Sequence, residues 1–292
     1  ARTRARKAGI TLNEADVRPT DRFLMERFIT GSVRLEGAVV QKPGYWRMTN
    51  PRIARGDYRP DLRLLSIDIE TAISDDTLLS VALYAPDFER VVMRGEAVPD
   101  AEPNVEFVPD ESAVIERTLE LLAQYDPDAI IGWNIVGFDL RFLQLRADAL
   151  GVPFTPARDA RPIAWRHPPA TEERNYALLA GRLVLDGIEL LRNATYSFES
   201  FALDYVASEV LGHGKLVHDV DDRAFEIEDM FRNNKAALAR YNLEDCRLVW
   251  DVFETLSLMD YSIDRTVLTG LDMDRMGGSV AAFDFLYLPR LH

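Results

Sequence analysis

The chain has 292 residues, 47% of them apolar, and 34 basic against 48 acidic side chains give a formal net charge of −14 at pH 7. That composition excludes a disordered chain, a collagen and a coiled coil, and the length suits one large or two ordinary domains. No apolar run approaches the ~20 residues a membrane-spanning helix needs, and with Cys246 as the single cysteine neither an intrachain disulfide nor a thiolate zinc cluster can form, which fits a reducing interior. The opening Ala1-Arg2-Thr3-Arg4-Ala5-Arg6-Lys7 lacks the apolar stretch of a secretory signal. The closing Leu286 to His292 is apolar without a polar tail, so both ends read as cuts in a longer chain. Charge alone points away from a phosphate-binding surface unless further domains supply a basic groove.

Residues 1 to about 60 mix short apolar runs with Gly31, Gly37, Pro43, Gly44, Pro51, Gly56 and Pro60, which predicts a small, mostly β segment. From Leu64 the pattern sharpens: Leu65, Ile67 and Ile69 alternate with Ser66, Asp68 and Glu70, the period of a strand that places Asp68 and Glu70 on one face. A polar turn at Ser74-Asp75-Asp76 leads to a second strand, Leu78 to Tyr84, and Arg90 to Met93 makes a third, together an antiparallel meander. Val114, Ile115, Leu119 and Leu122 mark a helix over Glu111 to Gln124, with Asp110, Glu111 and Ser112 where capping and acidic residues belong. After the turn Asp126-Pro127-Asp128, the all-apolar Ala129-Ile130-Ile131-Gly132 reads as a strand buried on both faces. Phe138, Phe142, Leu145 and Ala149 then repeat at helical steps until Gly151 and Pro153.

Residues 154 to 180, rich in proline, form an excursion from the core. Leu183-Val184-Leu185 is another buried strand, and Ser200 to Leu211, Ile227 to Arg232 and Lys235 to Leu256 are helical, the last capped by Asn234. The fold class is α/β, with strands first and then a helix and strand series. No internal repeat or low-complexity segment interrupts it.

Three short elements carry chemistry. Asp-x-Glu is common by itself, and Asp87-Phe88-Glu89 and Asp100-Ala101-Glu102 repeat it. Asp68 and Glu70 would ordinarily be the solvated face of an edge strand, but they lie on a strand apolar enough to be central, where two unpaired carboxylates are expensive and call for a cation. Asp139 follows Asn134-Ile135-Val136-Gly137-Phe138 at the carboxyl end of the buried strand, the edge where open α/β sheets collect ligands; it is equally an ordinary first-turn partner of a helix dipole. Tyr241 and Asp245, four apart, share one helix face, which also describes an ordinary amphipathic helix.

In this order the three elements resemble the DEDD superfamily of 3′ to 5′ exonucleases, in the variant whose last motif carries Tyr: Asp68 and Glu70 match the first motif, Asp139 the second with Asn134 and Phe138 beside it, and Asp245 the last with Tyr241. Further segments, Asp57-Tyr58-Arg59-Pro60, Tyr125 to Asn134, Gly181-Arg182-Leu183 with Asp186-Gly187-Ile188-Glu189, and Gly277-Gly278-Ser279-Val280-Ala281-Ala282-Phe283, are similar to family B DNA polymerases, best to their bacterial polymerase II-type branch. The resemblance implies an RNase H-like exonuclease fold, a mixed sheet flanked by helices, over residues 61–257. Residues 1–60 would be part of the polymerase's N-terminal domain, and residues 258–292 a connection leading into a palm domain. The family's polymerase motifs Ser-Leu-Tyr-Pro-Ser and Asp-Thr-Asp do not occur in the sequence, so this piece alone should not synthesise DNA.

The resemblance also implies a site. Two Mg²⁺ ions, or Mn²⁺, about 3.5 to 4 Å apart would serve phosphodiester hydrolysis, hard oxygen donors selecting them over zinc. Asp68 would bridge the ions, Glu70 and Asp245 would hold the water-activating ion, Asp139 the second, and Tyr241 would orient the attacking water. Asn134 would hydrogen-bond the terminal nucleotide, and Phe138 would pack on its sugar or base, or else into the core. The implied partners are a frayed or single-stranded primer 3′ terminus, the palm, fingers and thumb of the same polymerase, and a sliding clamp reached through the missing part, in a bacterial cytoplasm. The 154–180 excursion corresponds to a β-hairpin that helps the primer change sites, or to a plain surface loop, and Arg182 with Asp186 to a structural pair. Two other readings stay open: a free-standing DEDD nuclease trimming RNA 3′ ends, and a non-catalytic nucleic-acid-binding module.

Overall fold

A computed structural model of the chain describes residues 2–12, 17–43, 45–166, 176–212, 220–275 and 277–291. Two short helices, α1 (Arg2–Lys7) and α2 (Pro19–Met25), open the chain. Pro19 occupies the start of α2, where its missing N–H costs nothing and its fixed φ suits the helix. Two antiparallel ribbons follow, β1 (Val33–Glu36) with β4 (Arg52–Arg55) and β2 (Val39–Lys42) with β3 (Tyr45–Met48). The segment is therefore β-rich as its turn residues indicate, with two helices that the glycine and proline punctuation conceals.

The next elements build the site's scaffold: β5 (Leu64–Ala72), β6 (Thr77–Ala85), β7 (Phe88–Arg94), β8 (Val105–Val108), α3 (Glu111–Tyr125), β9 (Ala129–Gly132) and α4 (Asp139–Leu150). After the short ribbon β10 (Ala164–Arg166) and β11 (Tyr176–Leu178) come β12 (Leu183–Asp186), α5 (Gly187–Asn193), α6 (Leu203–Leu211), α7 (Val220–Asn233), α8 (Lys235–Thr255), α9 (Leu258–Thr269) and α10 (Ser279–Leu291). None of the described helices is long and apolar enough to cross a membrane. The chain clusters into two compact units, residues 61–259 and residues 1–60 with 260–292. In the second of these, Arg59 is ion-paired with both Asp260 and Asp264.

Within residues 61–259, six strands form one sheet in the order β12-β9-β5-β6-β7-β8. β5, β6 and β7 are the antiparallel meander read from their alternation. β9 and β12 run parallel to β5, as strands joined by helical crossovers must. β8 is an edge strand of four half-buried residues, parallel to β7, too short to register as a sequence period. β5 is central, and its side chains divide by parity. Leu65, Ile67 and Ile69 join Val114, Ile115 and Leu121 of α3 and Leu140 and Leu143 of α4 in one core. On the opposite side Ala72, Leu79, Ala82, Val91 and Met93 pack with Leu238, Ala239, Leu243 and Cys246 of α8. Burying each Leu or Ile contributes ~1.5–3 kcal/mol; that fixes the register, since a one-residue slip would exchange the two faces. The segment after α4 is not the excursion its composition predicts: Phe154, Ala157, Ile163, Ala177 and Leu179 are buried in the same core as Leu65 and Ile67. It carries the β10–β11 pairing, Ala164 opposite Leu178 and Arg166 opposite Tyr176; residues 167–175, on which the rest of the expected hairpin falls, lie outside the described residues.

Candidate functional site

The parity that sends Leu65, Ile67 and Ile69 into one core turns Asp68 and Glu70 toward α8, the helix that supplies Asp245. Glu70 is 6% and Asp245 3% exposed, and Asp68 is half-buried. One carboxylate oxygen from each of Asp68, Glu70 and Asp245 lies within 4.8 Å of the others. Three like charges so close and so little hydrated repel strongly unless cations or protons are shared among them. The donor set, oxygen only, suits a hard divalent ion such as Mg²⁺ or Mn²⁺ and offers zinc neither imidazole nor thiolate. Tyr241 stands one helical turn before Asp245 and is half-buried.

Two further residues complete this face, and no sequence motif points to them. Asn242, fully buried, donates from Nδ2 to Asp68 Oδ2 at 2.7 Å and accepts on Oδ1 from the Ser80 hydroxyl at 2.9 Å. Their signal is positional: Asn242 lies three residues before Asp245, and Ser80 is the cross-strand neighbour of Glu70.

Asp139 arrives from the other direction, as the first residue of α4. β9 ends at Gly132, paired with β5 only as far as Ser66, so β5 runs on without a strand partner on that side. The Ile69 N–H there favours the ionised form of the Asp139 carboxylate. Asp139 is 2% exposed, and burial holds its carboxyl up at about 7, with negative charge on Asp186 and Asp245 adding to the effect and the N–H groups of Ile69 and of Asp139 itself opposing it. Negative charge on Asp245 thus reaches Asp139, which stands outside the close set of three.

The loop before α4 is shaped by close approach. A Cβ on Gly132 would lie 2.8 Å from Ile135 and 3.0 Å from the Ile67 carbonyl, and one on Gly137 would overlap Asn134 Oδ1. Asn134 itself has φ +57°, the left-handed region asparagine tolerates better than most residues, and its carbonyl accepts from the Phe138 N–H at 2.8 Å. Asn134 is exposed, and so is Phe138, at 44%, its ring tilted against Phe142 at 5.9 Å between centroids.

Arg182 and Asp186, expected as a structural pair, each bind elsewhere rather than to each other. Asp186 caps α5, accepting from the N–H groups of Ile188 (3.0 Å) and Glu189 (3.4 Å), and also from Val136 (3.4 Å). Burial pushes its carboxyl up to about 6, against those three donors. Arg182, before the strand begins, donates to the carbonyls of Pro127 (2.6 Å) and Pro156 (3.1 Å) and pairs with Asp126 (2.9 Å). Four residues of extended chain span roughly 13 Å, out of reach of a direct bond.

The chain is similar to known proteins along most of its length. Residues 11–206 match the family described as DNA polymerase family B, exonuclease domain. The chain is 42% identical over 293 aligned positions to DNA polymerase II of Escherichia coli K12, covering 99% of this chain and 37% of that protein. It is 27% identical over 218 positions to a DNA polymerase of Thermococcus litoralis, covering 71% of this chain and 12% of that one. The family B DNA polymerase of Pyrobaculum calidifontis shares the fold, with a TM-score of 0.67 at 22% identity over 94% of this chain and 36% of that one. The chain thus spans little more than a third of the E. coli relative. With two thirds of its length matched to that exonuclease domain, and with carboxylates gathered where the domain's sheet meets α8, this chain belongs to DNA polymerase family B.

Proposed function

We propose that the chain is the proofreading 3′ to 5′ exonuclease portion of a DNA-directed DNA polymerase, hydrolysing the 3′-terminal phosphodiester of DNA. The observation that carries the proposal is the meeting of Asp68, Glu70 and Asp245 within 4.8 Å, contributed by the sheet's central strand and by a helix far along the chain. Residues 61–257 form the nuclease, residues 1–60 part of the polymerase's N-terminal domain, and residues 258–292 the lead into the palm.

Asp68 would be shared between two divalent cations, with Glu70 and Asp245 on one side and Asp139 on the other. Two Mg²⁺ or Mn²⁺ ions held there would supply an activated water and neutralise charge at the scissile phosphate. The chain's own groups set the rest. Tyr241, one turn before Asp245 on α8, would orient the attacking water. Asn134 offers an exposed amide to the terminal nucleotide, and the open Phe138 ring a face for its sugar or base. Recognition needs no sequence readout, only a frayed or single-stranded 3′ end, and a mismatched terminus frays most readily. The β10–β11 ribbon would guide that strand between synthesis and editing sites. The partners are then the primer terminus, the palm, fingers and thumb, and a sliding clamp, in the bacterial cytoplasm.

The test is Mg²⁺-dependent release of mononucleotides from the 3′ end of single-stranded DNA by this chain and by its Asp68→Ala and Asp245→Ala variants. Each variant should lose at least ~10³-fold with its fold intact. Equal activity in all three would remove the assignment, and preference for RNA would favour a free-standing RNA-trimming nuclease.

A further inference from the structure

Asn242 is a buried polar residue in a row of apolar ones. Its neighbours on α8, Ala239, Leu243 and Cys246, pack into the core beneath the sheet, and a leucine would fill the same space. A buried amide is costly unless satisfied, and this one is satisfied by two groups on different strands, Asp68 on β5 and Ser80 on β6, at 2.7 and 2.9 Å. The order of donors is forced. An ionised carboxylate only accepts, so Nδ2 must face Asp68; Oδ1 then faces Ser80, whose hydroxyl supplies the proton. Ser80 is itself fully buried and lies opposite Glu70 in the strand register. The relay therefore reaches Asp68 directly, starts from the residue opposite Glu70, and hangs from the helix that carries the third carboxylate. An arginine or lysine there would hold Asp68 too, but would neutralise the charge a cation needs; an amide orients the carboxylate and leaves its charge intact.

We infer that Asn242, held by Ser80, is a positioning residue: it fixes the rotamer of Asp68 and the seating of α8 on β5, so that strand-borne and helix-borne carboxylates meet at the spacing a divalent cation requires. The inference rests on the metal-binding reading of Asp68, Glu70 and Asp245.

The experiment measures Mn²⁺ binding to the chain without DNA, by electron paramagnetic resonance of the free ion. Groups behind metal ligands typically govern ~10–100-fold in affinity. Asn242→Ala should therefore weaken Mn²⁺ binding at least ~10-fold and Ser80→Ala ~3-fold, while saturating Mn²⁺ returns the exonuclease rate of Asn242→Ala to within a few-fold of the parent. Asn234→Ala is the control for a merely structural loss. It removes the cap hydrogen bond from the Ala237 N–H on the same helix, which loosens the helix start, and should leave Mn²⁺ affinity unchanged. Parental affinity in Asn242→Ala, or equal weakening in Asn234→Ala, overturns the inference. If Asn242→Ala does not fold, Ser80→Ala decides, and unchanged affinity there overturns it equally. Asp68→Ala separates the two levels: if it alone loses Mn²⁺, the metal site stands and the relay fails, whereas if it binds as the parent does, both fail.

Discussion

Replacing Asp139 by Asn should stabilise the metal-free protein, by an amount that depends on pH. The Asp139 carboxyl is held at about 7 in the folded chain, against an ordinary 3.8, chiefly because it is buried. Between those values the folded protein keeps a proton that the unfolded chain releases, so stability falls as pH rises through the interval. At 1.36 kcal/mol per unit, the loss reaches ~4 kcal/mol at pH 8 and is under ~1 kcal/mol at pH 4. Asparagine carries no charge to bury, so it escapes the penalty. Urea unfolding of both proteins in EDTA, followed by tryptophan fluorescence, should show Asp139→Asn more stable by up to ~4 kcal/mol at pH 8, with little difference at pH 4 and similar slopes. Added Mn²⁺ should narrow the gap at pH 8, because a cation favours the ionised carboxylate. Equal midpoints at pH 8 in EDTA, or a gap that widens on acidification, would refute the reasoning.

Gly137→Ala puts a methyl group onto Asn134 Oδ1; steady-state kinetics on single-stranded DNA should show KM raised ~10-fold with kcat little changed, the pattern of a lost binding contact. Arg182→Ala removes a 7% exposed guanidinium from the Pro127 and Pro156 carbonyls. It should lower unfolding free energy by ~2–4 kcal/mol in urea titrations and leave Mn²⁺ affinity unchanged. Cys246 is fully buried, and burial pushes its thiol well above the usual range. A disulfide reagent should label it only at the rate of unfolding, and fast labelling of the native protein would contradict the packing of α8 on the sheet.

The central strand and its faces were legible because burial imposes period two on Leu65, Ile67 and Ile69 and leaves Asp68 and Glu70 as conspicuous exceptions. Asp139 and Asp245 were legible because each belongs to a local motif at an element's edge or face. Helix α8 was legible throughout, down to its Asn234 cap, which accepts from the Ala237 N–H at 3.1 Å. The contribution of Asn242 was not, because a hydrogen bond across 174 positions leaves no local trace, and an asparagine in an amphipathic helix looks like a surface residue. Edge strand β8 and helices α9 and α10 escaped for a different reason. β8 is half-buried with no clear alternation, and the residues of α10 are apolar around most of its circumference, leaving no stripe to count. Arg182 and Asp186 do not pair because the strand Leu183–Asp186 carries their backbones apart.

Whether these carboxylates hold cations is the central question, and crystals of the chain grown with Mn²⁺ answer it by anomalous scattering. The expected result is one manganese bounded by Asp68, Glu70 and Asp245 and a second on the side of Asp68 that faces Asp139. A protein that releases mononucleotides in Mn²⁺ while its crystals show no manganese at Asp68 would contradict it.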